Sequence, residues 1–196
     1  MELSVSQLSK KFKCDEVHAA EVCRLASLIF DEVNSNLKDM PQKWKSYVQV
    51  SALLHDIGYF IEEKGHNKHS QKIILDYGLS NFSQREKEII SCICRYHRGG
   101  LPDKELHDVY SLLDKNERKI VKKLSGIVKV ADGLACTPVN FIKNISITQD
   151  YDNSITYINL IANSFDFRPD IKFAVRKKDL FEIAFKTQVV FKFIHE

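Results

Sequence analysis

Between Asp15 and about Val33 the apolar residues Val22, Leu25, Ala26, Ile29, Phe30 and Val33 return at steps of three and four, the period of a helix with one buried stripe. His18 stands in the first turn of that helix. A second helix is predicted from about Trp44 to Ile57 through Val48, Ala52, Leu53 and Leu54, with Gly58 placed to stop it and His55 and Asp56 in its last turn. His69 to Tyr77 is predicted helical and closed by Gly78. Ser83 with Glu86 has the spacing of a capping box for a helix running to about His97, after which Arg98 to Pro102 makes a loop. Asp114 with Glu117 repeats the box and opens a long helix through Val121, Leu124, Ile127, Val128, Ala131 and Leu134 that ends before Pro138.

Beyond Pro138 the period changes. Ile145 and Ile147 alternate with polar residues, Ile155 to Ile161 is β-branched and apolar, and Asp150 to Asn153 supplies turn chemistry between them, so a hairpin is predicted. Helical spacing returns from about Asp170 to Phe185, and Gln188 to Ile194 reads as a closing strand. The expected architecture is mostly α: a helical bundle over residues 1–140, with a small β-β-α-β (α+β) subdomain over 141–196 packed on it.

Composition narrows the class. The 196 residues are 44% hydrophobic and 28% charged, and 7 Gly with 4 Pro exclude collagen-like and disordered chains. With 29 Lys and Arg against 26 Asp and Glu the net charge is +3, so no polyelectrolyte partner is called for and nucleic acid is not expected. The basic runs Lys10-Lys11-Lys13, Arg118-Lys119-Lys122-Lys123 and Arg176-Lys177-Lys178 have no aromatics interleaved as a stacking platform, and they read as solvated helix faces. Five Cys, an odd number, argue for reduced thiols and a cytoplasmic protein. The first residues lack the apolar core of a signal peptide and no stretch is long enough to cross a bilayer, so no membrane role is expected.

Seven His in a chain of modest charge direct attention to chemistry. Asp132 shares a helix face with Val128 and Leu124, so its carboxylate falls where burial is expected, at a cost of several kcal/mol unless a cation or strong donors satisfy it. His55-Asp56, at the end of an apolar helix, poses the same problem. One His on an apolar helix is ordinarily a hydrogen-bonded core residue. The joint pattern is different: a His near one helix start, a His-Asp pair at the end of the next, further His between, and a helical Asp downstream. A shared divalent ion would satisfy all of them, and imidazole with carboxylate suits Mn, Fe, Co, Ni or Zn, or Mg with more water.

His18, His55-Asp56 and Asp132, in this order on successive helices and within Leu53-Leu54-His55-Asp56-Ile57-Gly58 and Val130-Ala131-Asp132, resemble the HD-domain metal-dependent phosphohydrolase superfamily. More closely, Leu54 to Ile61, His66-Asn67-Lys68-His69-Ser70, Arg95-Tyr96-His97-Arg98 and Ala131-Asp132-Gly133-Leu134 are similar in sequence and order to the C-terminal HD region of the exopolyphosphatase/guanosine-pentaphosphatase family. Asp179-Leu180-Phe181-Glu182 also looks like that family's end. His66-Asn67 stands where the family usually has two adjacent His, and Ala135 where it has Asp. The family's actin-like portion, in which it hydrolyses polyphosphate, has no counterpart in these residues.

The resemblance implies an HD-domain helical bundle in which His18, His55, Asp56 and Asp132 hold one metal ion and His69 and His97 a second, with Asp56 bridging. Asp56 and Lys129 are the catalytic candidates, and His66, Lys68, Arg95 and Arg98 the substrate-binding ones. The implied function is a hydrolase that cleaves a phosphoester or phosphoanhydride, in a nucleotide, alarmone or polyphosphate-like substrate, with a metal-activated water and one or two divalent ions. The alternative is a non-catalytic module that binds polyphosphate or nucleotide, or regulates a partner. A small phosphorylated substrate is the expected partner and a homodimer is compatible with it; His107 and His195 are given no role.

Overall fold

Four helix starts in this chain are written by side chains. In the computed structural model, which describes residues 2–162 and 171–194, the side chains of Ser4, Asp15, Ser83 and Asp114 each accept hydrogen bonds from the first free N–H groups of a helix. They open α1 (Val5–Lys11), α2 (Glu16–Asn36), α5 (Gln84–Tyr96) and α7 (Lys115–Leu134). Between them lie α3 (Lys43–Leu54), a 3-10 turn at Ile57–Phe60, α4 (His66–Tyr77) and the one-turn α6 (Asp108–Ser111). Both expected capping boxes, Ser83 with Glu86 and Asp114 with Glu117, are formed. Two short helices, α1 and α6, were not expected; α1 carries a box of its own, Ser4 with Gln7.

The helices form one bundle around α7. From Leu124 to Leu134 every residue of α7 is buried, which makes this half a central helix instead of an amphipathic one. Helix α2 packs on α3 and α7, and α5 packs on α3, α4 and α7. Two glycines one heptad apart allow close approach on another face of α7. A Cβ at Gly126 would lie 2.8 Å from Phe181 Cα, and one at Gly133 would lie 2.6 Å from Ala174 Cα.

Those contacts bring in the rest of the chain. Strands β1 (Ile142–Asp150) and β2 (Ile155–Ala162) make the expected antiparallel hairpin, with Ile147 opposite Ile158. β3 (Gln188–Ile194) then lies parallel to β2, so the sheet order is β1-β2-β3. The predicted helix over residues 170–185 is divided into α8 (Lys172–Lys177) and α9 (Asp179–Phe185), and its expected start at Asp170 lies outside the described residues, as does His195. The division falls where side chains pull in different directions: Lys178 Nζ donates to the Val189 carbonyl of β3, while Asp179 is paired with Lys129 of α7. Strand β1 rests on α2, where Arg24 bridges Glu21 and the Ile142 carbonyl.

Gly58 does not stop α3 in the expected way. The helix ends at Leu54, and Gly58 is not in the left-handed region; a Cβ there would meet the His66 carbonyl oxygen at 1.9 Å. Its smallness lets α4 press against the 3-10 turn. The seam is held by Ser70 Oγ, which donates to the His55 carbonyl at 2.6 Å and accepts from Gly58 N–H at 2.9 Å. α4 begins at His66, three residues before the expected start, because Gly65 at φ +78° turns the chain into it.

Candidate metal centre

Several helix ends converge on one point. Asp15 caps α2 through the N–H groups of Val17 and His18, which fixes His18 in the opening turn. His55 and His97 are the C-terminal cap residues of α3 and α5, His66 is the first residue of α4, and Asp132 lies in the last turn of α7. Asp56 follows His55 with φ −105° and ψ 4°, which aims its side chain at the centre of the group.

The two oxygens of Asp56 serve different partners. Oδ2 lies 3.2 Å from His55 Nε2 and 3.8 Å from His18 Nε2, whereas Oδ1 lies 3.2 Å from His66 Nε2 and 3.3 Å from His97 Nε2. Asp132 Oδ1 lies 3.3 Å from His18 Nε2 and 3.8 Å from His55 Nε2, and its Oδ2 accepts from the Lys177 ammonium.

Backbone carbonyls set the imidazole tautomers. Nδ1 of His55, His66 and His97 lies 2.7, 3.0 and 2.6 Å from the carbonyl oxygens of Ala52, Glu63 and Cys94. A carbonyl only accepts, so each Nδ1 carries hydrogen and, in a neutral ring, each Nε2 turns a lone pair inward. His66 Nε2 and His97 Nε2 then face each other at 3.2 Å, and two lone pairs at that distance require a proton or a cation between them. His55 Nε2 is buried with no hydrogen-bond partner among the described residues; its 3.2 Å approach to Asp56 lacks the angle of a hydrogen bond.

The electrostatics point the same way. Burial alone would raise both carboxyls, yet the neighbouring imidazoles of His55, His66 and His97 hold Asp56, and His18 with neighbouring charges holds Asp132, well below the usual carboxylate range. Burial opposes protonation of His55 but Asp56 and Asp132 outweigh it and raise its pKa, while for His97 burial prevails and lowers it. Two ionised carboxylates are therefore enclosed by rings already oriented to donate lone pairs.

These donors form three overlapping triads, His18-His55-Asp56, His55-His97-Asp132 and Asp56-His66-His97, whose ligand atoms lie within 4.8 Å of one another. Imidazole nitrogen oriented by backbone carbonyls, combined with carboxylate oxygen, fits Mn, Fe, Co, Ni or Zn. His18, His55, Asp56 and Asp132 could hold one ion, and Asp56, His66 and His97 a second.

The placement of His66 and His69 differs from the expectation. His69 stands outside the triads, 29% exposed, with Nε2 3.9 Å from Glu62, whereas His66 joins His97 at Asp56 and stacks on the Tyr59 ring at 4.0 Å. Lys129, a catalytic candidate, is 4% exposed and turns from the cluster to Asp179 Oδ1 at 2.7 Å and the Gly99 carbonyl at 3.2 Å. It ties α7 to α9 and to the loop after α5. Arg98 lines a cavity of about 280 Å³ over the cluster, its guanidinium 3.3 Å from the Tyr59 hydroxyl. Arg95 and Lys68 line a separate hollow beyond Arg98, where Arg95 donates to Gln71. His107 accepts at Nδ1 from Asp103 N–H and lies 2.8 Å from the Tyr96 hydroxyl, a loop anchor.

Lys177 is a basic cavity residue that sequence reasoning did not single out. It lies in the run Arg176-Lys177-Lys178, and nothing in that run separates the middle residue from its neighbours. Lys178 is occupied with Glu182 and the Val189 carbonyl, and Arg176 is exposed.

The sequence model of a family described as Ppx/GppA phosphatase, domain III, matches residues 1–135. Among curated proteins, a guanosine-5'-triphosphate,3'-diphosphate pyrophosphatase of Pseudoalteromonas translucida is 30% identical over 91 residues, 46% of this chain and 18% of the relative. A protein of the same name from Photobacterium profundum is 25% identical over 123 residues, 63% of this chain and 24% of the relative. The matched stretch is thus less than a quarter of either relative's length.

Proposed function

We propose that this chain, which belongs to the Ppx/GppA phosphatase domain III family, is a metal-dependent phosphohydrolase of the HD type. It would act on a phosphoester or phosphoanhydride in a nucleotide or polyphosphate-like substrate. The observation that carries the reading is the division of Asp56, one oxygen toward His18 and His55 and the other toward His66 and His97. A carboxylate so placed is suited to bridge two cations. A divalent ion, when bound, supplies Lewis-acid polarisation of a phosphoryl oxygen and a lowered pKa for an attacking water.

The chain's own residues do the rest. The carbonyls of Ala52, Glu63 and Cys94 keep Nδ1 of three imidazoles protonated, so that each Nε2 is the atom turned toward the carboxylates. Arg98, exposed at the cavity rim, presents its N–H groups to phosphoryl oxygens. Tyr59 holds both the Arg98 guanidinium and the face of His66, which keeps rim and floor in register. Lys129 acts through packing, away from the reacting atoms.

One observation favours the second reading, a binding or regulatory module: the relatives named as pyrophosphatases are matched over less than a quarter of their length. The two readings part in one experiment. Protein purified without chelator is analysed for transition metal, then assayed with Mn²⁺ or Co²⁺ on a panel of nucleotides, phosphomonoesters and polyphosphate. Bound metal with turnover that Asp56→Ala abolishes is the expected result. A metal-free protein whose ligand binding is indifferent to Asp56→Ala would be the module.

A further inference from the structure

We infer that Lys177 contacts the substrate: its ammonium and the Arg98 guanidinium are the two sides of a clamp for one phosphoryl group, so the chain beyond residue 135 completes the site. The inference rests on the metal-centre reading above and deepens it. Both side chains line the cavity over the ligand cluster, Arg98 from the end of α5 and Lys177 from α8.

Packing holds Lys177 in place. α8 lies so close to α7 that a Cβ on Gly133 would meet Ala174 Cα at 2.6 Å. Ala174, fully buried in that contact, is three residues before Lys177 and on the same helix face, so the lysine is directed at the end of α7 where Asp132 stands. Its side chain is only partly exposed.

Charge then selects the ligand. Among the described residues the cavity is lined by two carboxylates, Asp56 and Asp132, and two basic side chains, Arg98 and Lys177, whose formal charges cancel when the imidazoles are neutral. A divalent ion shared by the carboxylates leaves Lys177 and Arg98 uncompensated. The surplus, two positive charges with one ion and more with a second, favours a multiply charged anion such as a dianionic phosphoryl group. Lys177 needs only a small swing from Asp132 to reach an oxygen of such a group. A volume of about 280 Å³ suits a phosphoryl end but is small for a whole nucleotide, which would extend out past Arg98.

Orthophosphate is the probe. It is titrated calorimetrically into the Mn²⁺-loaded full chain, as wild type, Lys177→Met, Lys177→Gln and Lys177→Arg, with manganese content measured on each sample and folding checked by thermal melting. The expected result is unchanged manganese content in all variants, orthophosphate binding weakened about tenfold or more in the Met and Gln variants, and most of the affinity restored by Arg. Orthophosphate binding as tight in the Met and Gln variants as in wild type overturns the clamp. So does parallel loss of manganese and phosphate, which would make Lys177 a positioning residue for Asp132. Wild type that takes up no manganese instead overturns the metal centre itself.

Discussion

His66 and His69 lie one helical turn apart, and the packing of α4 decides which of them meets Asp56. His66 is buried at the start of the helix, while His69 is displaced toward Glu62 at the rim. His66→Ala is therefore expected to lower bound manganese per chain, and His69→Ala to leave it unchanged, as read by elemental analysis. Lys129 separates burial from catalysis in the same way. Lys129→Met removes a buried ammonium that joins Asp179 and the Gly99 carbonyl, and is expected to cost about 1–3 kcal/mol of stability in urea denaturation while manganese content stays at the wild-type level. Residue identity was legible from the chain where local structure writes it, as with His55-Asp56 and the Asp132 face. The choice between His66 and His69 was not, because it depends on Gly58 allowing α4 to seat against the 3-10 turn.

At the scale of elements, that seat is a weak point open to a single methyl group. Gly58→Ala would place a Cβ at 1.9 Å from the His66 carbonyl oxygen, so α4 must shift and carry His66 with it. A loss of about 3 kcal/mol or more, with reduced manganese content, is expected from paired denaturation and metal measurements. The start of α5 carries a pH dependence of its own. Glu86 closes the capping box with Ser83 and accepts from the Tyr47 hydroxyl at 2.6 Å; that hydroxyl, then the Ser83 donors, hold its carboxyl below the usual range. A depressed folded pKa contributes stability above the unfolded value, about 4.3, that is lost as pH falls through the folded one. Tyr47→Phe should thus be less stable than wild type at pH 7, with the gap narrowing at pH 3, in denaturation curves at the two values. The capped helices were readable because their signals are local. The division of α8 from α9 at Lys178 and the parallel seat of β3 were not, since both depend on partners far along the chain.

For the molecule as a whole, enclosing two carboxylates and several imidazoles among helix ends would, if they hold an ion, make stability and ion binding one quantity. A ligand that binds the folded chain alone stabilises it by about 2.7 kcal/mol at a hundredfold excess over its Kd, which is a rise of roughly 5–10 °C in melting temperature at this size. Added Mn²⁺ should raise the wild-type Tm by that order and a chelator reverse it, whereas Asp132→Asn should respond little. The mostly helical body with a small sheet behind it follows from hydrophobic period alone. The entry of α8 into the cavity does not, because it depends on two glycines of α7 meeting the two short helices that follow the hairpin, Gly133 against α8 and Gly126 against α9. No helix among the described residues is long and apolar enough to cross a membrane.

The order of the cavity's parts along the chain has a consequence for biosynthesis. The candidate ligands end at Asp132, and Lys177 follows 45 residues later. At about 5–20 residues per second, translation leaves an interval of roughly 2–9 s in which the carboxylates and imidazoles have been made and their internal lysine has not. A nascent chain can meet an ion during that interval with no ammonium competing for Asp132. Metal acquired on the ribosome and metal offered to the finished protein would then enter against different opposition.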